Sequence, residues 1–187
     1  MPPKEKVSKV MVADTAFEMT REYGFREVTA RKLASEMGCS TQPIFRAYEN
    51  MEELRCDLFY MSTEFFNDYI VGKIKKTRNK SAYMTVALAY IELANKEKNL
   101  FELIASTDDF GTQTITEFLE KDEWVEVLNK LPGIDNATLD TRKELFMMLW
   151  MFVHGLASLT VSNRVKLSEK EVKALLEKAY EGFKGQM

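Results

Sequence analysis

The chain has 187 residues, 45% hydrophobic and 29% charged, with a net charge of −3. That length holds a small head and one larger helical domain with a substantial core, and the ordinary composition excludes disordered, collagenous and disulfide-stapled classes. Charge divides unevenly: residues 1–48 carry eight Lys or Arg against six Asp or Glu, and the remainder 18 against 23, so the basic part is the N-terminus.

Lys4, Lys6 and Lys9 precede or open a first helix. Their charge suits either a solvated tail or an arm along a phosphate backbone. Residues 29–54 then read as two short helices hinged at Gly38, followed by the start of a third. Thr29 is a hydroxyl N-cap, and Leu33, Ala34 and Met37 share one buried face. Gly38 admits the left-handed backbone that a sharp reversal needs. Ser40 is expected to cap the next helix, with Pro43 in its first turn. Ile44 and Tyr48, four apart, face inward. Thr41, Gln42, Phe45 and Arg46 are left outside as candidate base and phosphate readers, the pattern of a helix-turn-helix.

Asn50 with Glu53 forms a capping pattern that opens a long helix to about Lys76, with Leu54, Leu58, Met61, Phe65 and Tyr69 as its expected inward stripe. Residues 77–81 read as a polar linker, with Ser81 capping a helix through Lys96. A short helix is predicted over residues 100–107. Thr114 with Glu117 repeats the capping pattern, and that helix stops before Leu131-Pro132-Gly133. Asp140 can begin the next.

The uncharged stretch from Leu145 to Asn163 has the length of a membrane span, but His154, Gly155, Ser158, Thr160, Ser162 and Asn163 interrupt its apolar character. A helix buried on more than one face is the preferred reading, and no membrane partner is expected. Ser168 with Glu171 opens the last helix, in which Val172, Leu175, Leu176, Ala179, Tyr180 and Phe183 keep helical spacing until Gly185. No segment alternates apolar and polar residues as a strand would, so the fold class is all-α.

Cys39 and Cys56 have neither CxxC spacing nor neighbouring histidines, so no metal site and no cofactor are expected. A reducing, cytoplasmic setting fits, and the polar N-terminus lacks the apolar core of a signal peptide. A single histidine and two scattered cysteines offer no nucleophile–base pair, and no glycine-rich phosphate loop is present, which argues against an enzyme.

Residues 12–54 resemble the DNA-binding domain of the TetR family of bacterial transcriptional repressors. The resemblance rests on Val12, Ala16, Gly24, Phe25, Thr29, Leu33, Ala34, Gly38, Ser40, Ile44, Phe45, Tyr48, Asn50 and Leu54, an ordered set that fixes three helix lengths and both turns. It implies a helix-turn-helix head over residues 1–49 and an effector-binding and dimerisation domain over residues 50–187. Thr41, Gln42, Pro43 and Phe45 would lie near base edges, and Arg31, Lys32, Arg46 and Tyr48 near phosphates, with the caps Thr29 and Ser40 beside them. The chain departs from the pattern at Met51, where many members carry a phosphate-gripping lysine, and Glu49 adds a negative charge close by.

The resemblance also implies a homodimer built on the last two long helices, with Gly155, Leu159, Val172, Leu175, Leu176, Ala179 and Phe183 at the interface. An effector would lie among Phe65, Tyr69, Tyr90, Phe110, Phe118, Trp124, Met147, Trp150, Met151 and His154, residues that serve equally as plain core. The implied function is a repressor released from double-stranded operator DNA by a small, largely apolar effector. The alternative is an adaptor of the same fold acting through protein contacts.

Overall fold

The computed structural model describes residues 7–77, 81–105, 117 and 119–187. Every regular element among the described residues is helical: α1 (Lys9–Tyr23), α2 (Ala30–Glu36), α3 (Gln42–Ala47), α4 (Met51–Lys76), α5 (Ala82–Lys96), α6 (Lys98–Ala105), α7 (Asp122–Asn129), α8 (Leu139–Val161) and α9 (Glu169–Lys184). A 3-10 turn, Phe25–Glu27, joins α1 to α2. The Thr114–Glu117 capping pattern falls partly outside the described residues, as do Lys4 and Lys6.

Side-chain caps set most of these starts, because the first amides of a helix have no partner of their own. The hydroxyls of Ser8, Thr29 and Thr138 accept from the amides of Met11, Lys32 and Thr141. The Thr138 cap starts α8 ahead of the expected Asp140. Ser168 and Glu171 form a complete capping box. At α4 the Asn50 side chain accepts from the Glu53 amide at 2.9 Å, while the Glu53 carboxylate takes the Glu49 amide instead of closing back on Asn50. Ser40 does not cap α3: the helix starts one residue later, after Thr41, which makes no side-chain cap, and Pro43 lies within its first two positions.

By packing, the chain divides into two units, Met1–Phe65 with Glu97–Gly111, and Phe66–Lys96 with Thr112–Met187. In the N-terminal unit, Val12, Ala16, Leu33, Ile44, Leu54, Leu58 and Leu103 meet in one core. Helix α6 joins this unit through polar contacts on α1. The Arg21 guanidinium donates to both Glu97 oxygens at 2.6 and 3.1 Å, and the Asn99 amide donates to the Arg21 carbonyl at 2.8 Å. Packing groups the first half of α4 and all of α6 with the helices of this unit.

The buried stripe of α4 also departs from expectation. It steps by four, through Leu54, Leu58, Ser62, Phe66 and Ile70, and leaves Met61, Phe65 and Tyr69 half-buried. Ser62 is tolerated inside because its hydroxyl donates to the Leu58 carbonyl at 2.7 Å.

In the C-terminal unit α8 is central and packs on α5, α7 and α9. Its apolar length passes for a membrane span on composition, but Leu145, Phe146, Leu149, Val153, Leu156 and Ala157 are core. Trp124 is fully buried, and its indole N–H donates to the Asn67 side chain at 2.9 Å.

Arg142, nearly buried on α8, holds the α7–α8 connection by donating to the carbonyls of Asp135, Ala137, Asn129 and Leu128 at 2.8 to 3.3 Å. It thereby satisfies carbonyls at the C-terminal end of α7 that the helix cannot pair itself. We expect Arg142→Met to lower stability by about 3 kcal/mol, since buried acceptors lose a charged donor. Arg142→Lys should not restore it, because one ammonium cannot reproduce the guanidinium fork. Denaturant unfolding of the three proteins measures both effects.

Candidate nucleic-acid interface

The joint between α2 and α3 is a Schellman-type turn. Gly38 sits at φ +61°, the Cys39 amide donates to the Ala34 carbonyl at 2.9 Å, and the Gly38 amide donates to the Ser35 carbonyl at 3.1 Å. A side chain at that φ would be strained, which explains the glycine. The reversal sets α3 across α1, with Leu33 and Ile44 fully buried at the crossing.

The outer edge of α3 is thereby presented. Thr41, Gln42, Phe45 and Arg46 are exposed and Pro43 is half-buried. Phe45 stands 50% exposed beside them. Thr29, Arg31 and Ser40 are also exposed, and Arg31 and Arg46 form no ion pair among the described residues.

The other expected phosphate groups are engaged internally. Lys32 is paired with Glu27. Tyr48 has its ring in the core and its hydroxyl donating to Asp57 at 2.8 Å, so it is no open contact. Burial first, and then Asp57, push its phenol well above the usual range. Lys9 is no free arm either: its ammonium lies 2.7 Å from Glu53, 3.4 Å from Asp57 and 4.5 Å from the centre of the Tyr48 ring. The Lys9 hydrogen bond, followed by the Glu49 amide, holds the Glu53 carboxyl below its usual range. Met51 is half-buried against the core of this unit. Neither Glu53 nor Asp57 was singled out as a partner of Lys9 in the sequence, because nothing local marks a contact 44 residues apart.

In the C-terminal unit several expected ligand residues do meet. The Tyr90 and Trp150 rings lie 4.6 Å apart, Trp150 stacks on Phe146, and Trp124 meets Phe146 edge-on. The Tyr90 hydroxyl and the His154 Nδ1 bond each other at 2.8 Å, the donor set by the imidazole tautomer. Beside Phe146 and Trp150, a cavity of about 10 Å³ is lined by Tyr83, Val86, Leu149 and Val153.

Tyr69 and Met147 are half-buried, and Lys73 sits over the Tyr69 ring. Met151, by contrast, points outward at 61% exposure and lines no interior. Phe65 belongs to the N-terminal unit, where it packs on Phe17. Phe110 and Phe118 lie outside the described residues. A cleft of about 670 Å³ opens elsewhere, lined by Ile91, Glu92, Asn95, Thr160, Lys166 and Val172 among others, and none of the expected ligand residues among the described ones lines it.

The expected dimer face divides in the same way. Gly155, Leu159 and Leu175 are exposed, and Ala179 and Phe183 are half-buried. Val172 and Leu176 are buried within their own chain, so they are core and not surface. Helical spacing groups them with Leu175 but does not say which side the chain itself covers.

A three-helix head whose glycine turn presents the outer edge of a short helix defines a helix-turn-helix protein. No protein-family model matches the sequence, and no curated protein does. Solved structures match over nearly the whole chain. A TetR-like transcriptional regulator from Rhodococcus sp. RHA1 has a TM-score of 0.63 at 13% identity, covering 97% of this chain and 98% of its own. A TetR family transcription regulator from Marinobacter aquaeolei VT8 has a TM-score of 0.63 at 15% identity, covering 92% and 93%. The fatty acid degradation regulator FadR from Bacillus halodurans has a TM-score of 0.55 at 15% identity, covering 96% of each. The chain has the fold of these TetR-type regulators.

His154, the only histidine, yields a pH test. Burial lowers its pKa below the ordinary 6.5. As pH falls through that value the unfolded chain takes up a proton that the folded chain still refuses, so stability declines. We expect His154→Gln to flatten the fall in unfolding free energy between about pH 7 and pH 5. An unchanged slope in the variant would contradict the assignment.

Proposed function

We propose that the chain is a DNA-binding transcriptional regulator without catalytic activity, a homodimeric repressor that leaves its operator when a small, largely apolar effector occupies the C-terminal unit. The observation that carries this reading is the outer edge of α3: Thr41, Gln42, Phe45 and Arg46 stand exposed on a helix pinned from behind by buried Ile44. Gln42 and Thr41 suit base edges, Phe45 suits a thymine methyl or sugar, and Arg46 with Arg31 suits phosphates.

A six-residue helix reads only a few base pairs, so specificity calls for a second copy and a second half-site. Met151, Gly155 and Leu159 form an uncovered line along α8 in steps of four, and Leu175 is uncovered on α9. That surface fits a self-complementary contact, with Gly155 allowing close approach. The side chains of Tyr90, Phe146, Trp150 and His154 contact one another, and an effector seated among them would favour a state in which they separate. Helix α4 runs unbroken from one unit into the other and is the element such a change would displace.

Selection of bound duplexes from random DNA tests the reading. With a selected duplex, we expect Arg46→Ala to weaken binding about tenfold on every sequence and to reduce the salt slope by roughly one. Gln42→Ala should alter sequence preference more than affinity, and if it changes neither, Gln42 does not read bases.

For assembly, Leu159→Glu should give monomers on a sizing column with the helix content unchanged. Leu176→Glu should instead unfold the chain, because Leu176 is fully buried.

The internal pairing of Lys9 and Lys32 keeps the adaptor reading in play. Absence of salt-dependent binding to any selected duplex would favour it.

A further inference from the structure

Resting on the DNA-binding reading above, we propose that Glu53 and Asp57 set the strength of the DNA contact by occupying Lys9 and the Tyr48 hydroxyl as a phosphate would. The Lys9 ammonium has three N–H donors. Glu53 lies 2.7 Å from it and Asp57 3.4 Å, while the Tyr48 hydroxyl donates to the same Asp57 at 2.8 Å. Two anionic groups thus meet a cation and a phenol at the junction of α3 with α4, immediately after the DNA-reading residues, since Tyr48 is the C-cap of α3.

The arrangement reproduces the chemistry of a phosphate contact, a lysine and a hydroxyl converging on one anionic oxygen, Asp57 Oδ2, inside one chain. Glu53 is fixed for this role because its second oxygen accepts from the Glu49 amide at 2.7 Å. Lys9 is about half exposed and sits at the end of a flexible stem, so it is able to exchange Glu53 for a DNA phosphate. Exposed ion pairs of this kind are weak, so the carboxylates compete with phosphate for Lys9 and lower the affinity only a few-fold. Arg31 and Arg46, which form no ion pair among the described residues, carry no such brake.

The test uses the full chain and a fluorescein-labelled duplex of random sequence, because phosphate contacts are independent of sequence. Glu53→Gln with Asp57→Asn keeps the accepting oxygens for the Glu49 amide and the Tyr48 hydroxyl while removing the charge that holds Lys9. We expect this double variant to bind about five-fold more tightly and to steepen the salt slope by roughly one, as one more cation engages phosphate. Lys9→Ala should erase most of the gain in the double variant.

A gain that survives Lys9→Ala is general electrostatics and overturns the proposal, as does unchanged binding in a protein that binds DNA. Binding by neither wild type nor variant overturns the proposal and the DNA-binding reading together. Should the double variant lose helix content, Glu53→Gln alone supplies the same comparison, with the gain again required to depend on Lys9.

Discussion

Helix α3 has six residues and cannot stand alone, since a helix that short gains too few hydrogen bonds to offset its nucleation cost. Its existence depends on burial of Ile44 and of the Tyr48 ring against Val12, Ala16, Leu33 and Leu54. The Gly38 turn fixes where that burial occurs, because the two hydrogen bonds from Gly38 and Cys39 hold the end of α2 in one geometry. The exposed edge is a consequence of the same anchoring. With Ile44 and Tyr48 inside, Gln42, Phe45 and Arg46 have nowhere to point but outward. A fixed edge matters for recognition, since side chains already held in place lose less freedom on binding.

Electrostatics in this unit are more restrained than the count of basic residues implies. Lys9 and Lys32 are both paired with carboxylates, leaving Arg31 and Arg46 with no partner among the described residues. The C-terminal unit shows a comparable economy of open chemistry. Its aromatic side chains contact each other, the Trp124 indole N–H and the His154 Nδ1 meet polar partners, and Arg142 satisfies carbonyls. In a close-packed interior of this kind, rearrangement proceeds between discrete states.

Much of the fold was legible because its signals are local. The Thr29 cap, the Ser168–Glu171 box and the Gly38 stop each act within a few residues, and each forms as its spacing predicts. What was hidden is set by distant partners. Periodicity gave α4 a buried face, but the choice of Ser62, Phe66 and Ile70 over Met61, Phe65 and Tyr69 depends on what packs there. It likewise gave α9 an apolar stripe without showing that Leu176 faces its own chain and Leu175 does not. At the candidate site, the exposed edge of α3 was readable, whereas the commitment of Lys9 and Tyr48 to Glu53 and Asp57 was not, since it joins the start of α1 to the first turns of α4.

The central claim is that a core-anchored α3 offers its outer edge to a duplex. Amide hydrogen exchange of the full chain, followed with and without a duplex recovered by selection, tests it most directly. The account predicts slowed exchange concentrated on residues 41–47 and on the first turn of α2, with α8 unaffected. Protection confined to α8 and α9, or none anywhere at saturating duplex, would contradict it.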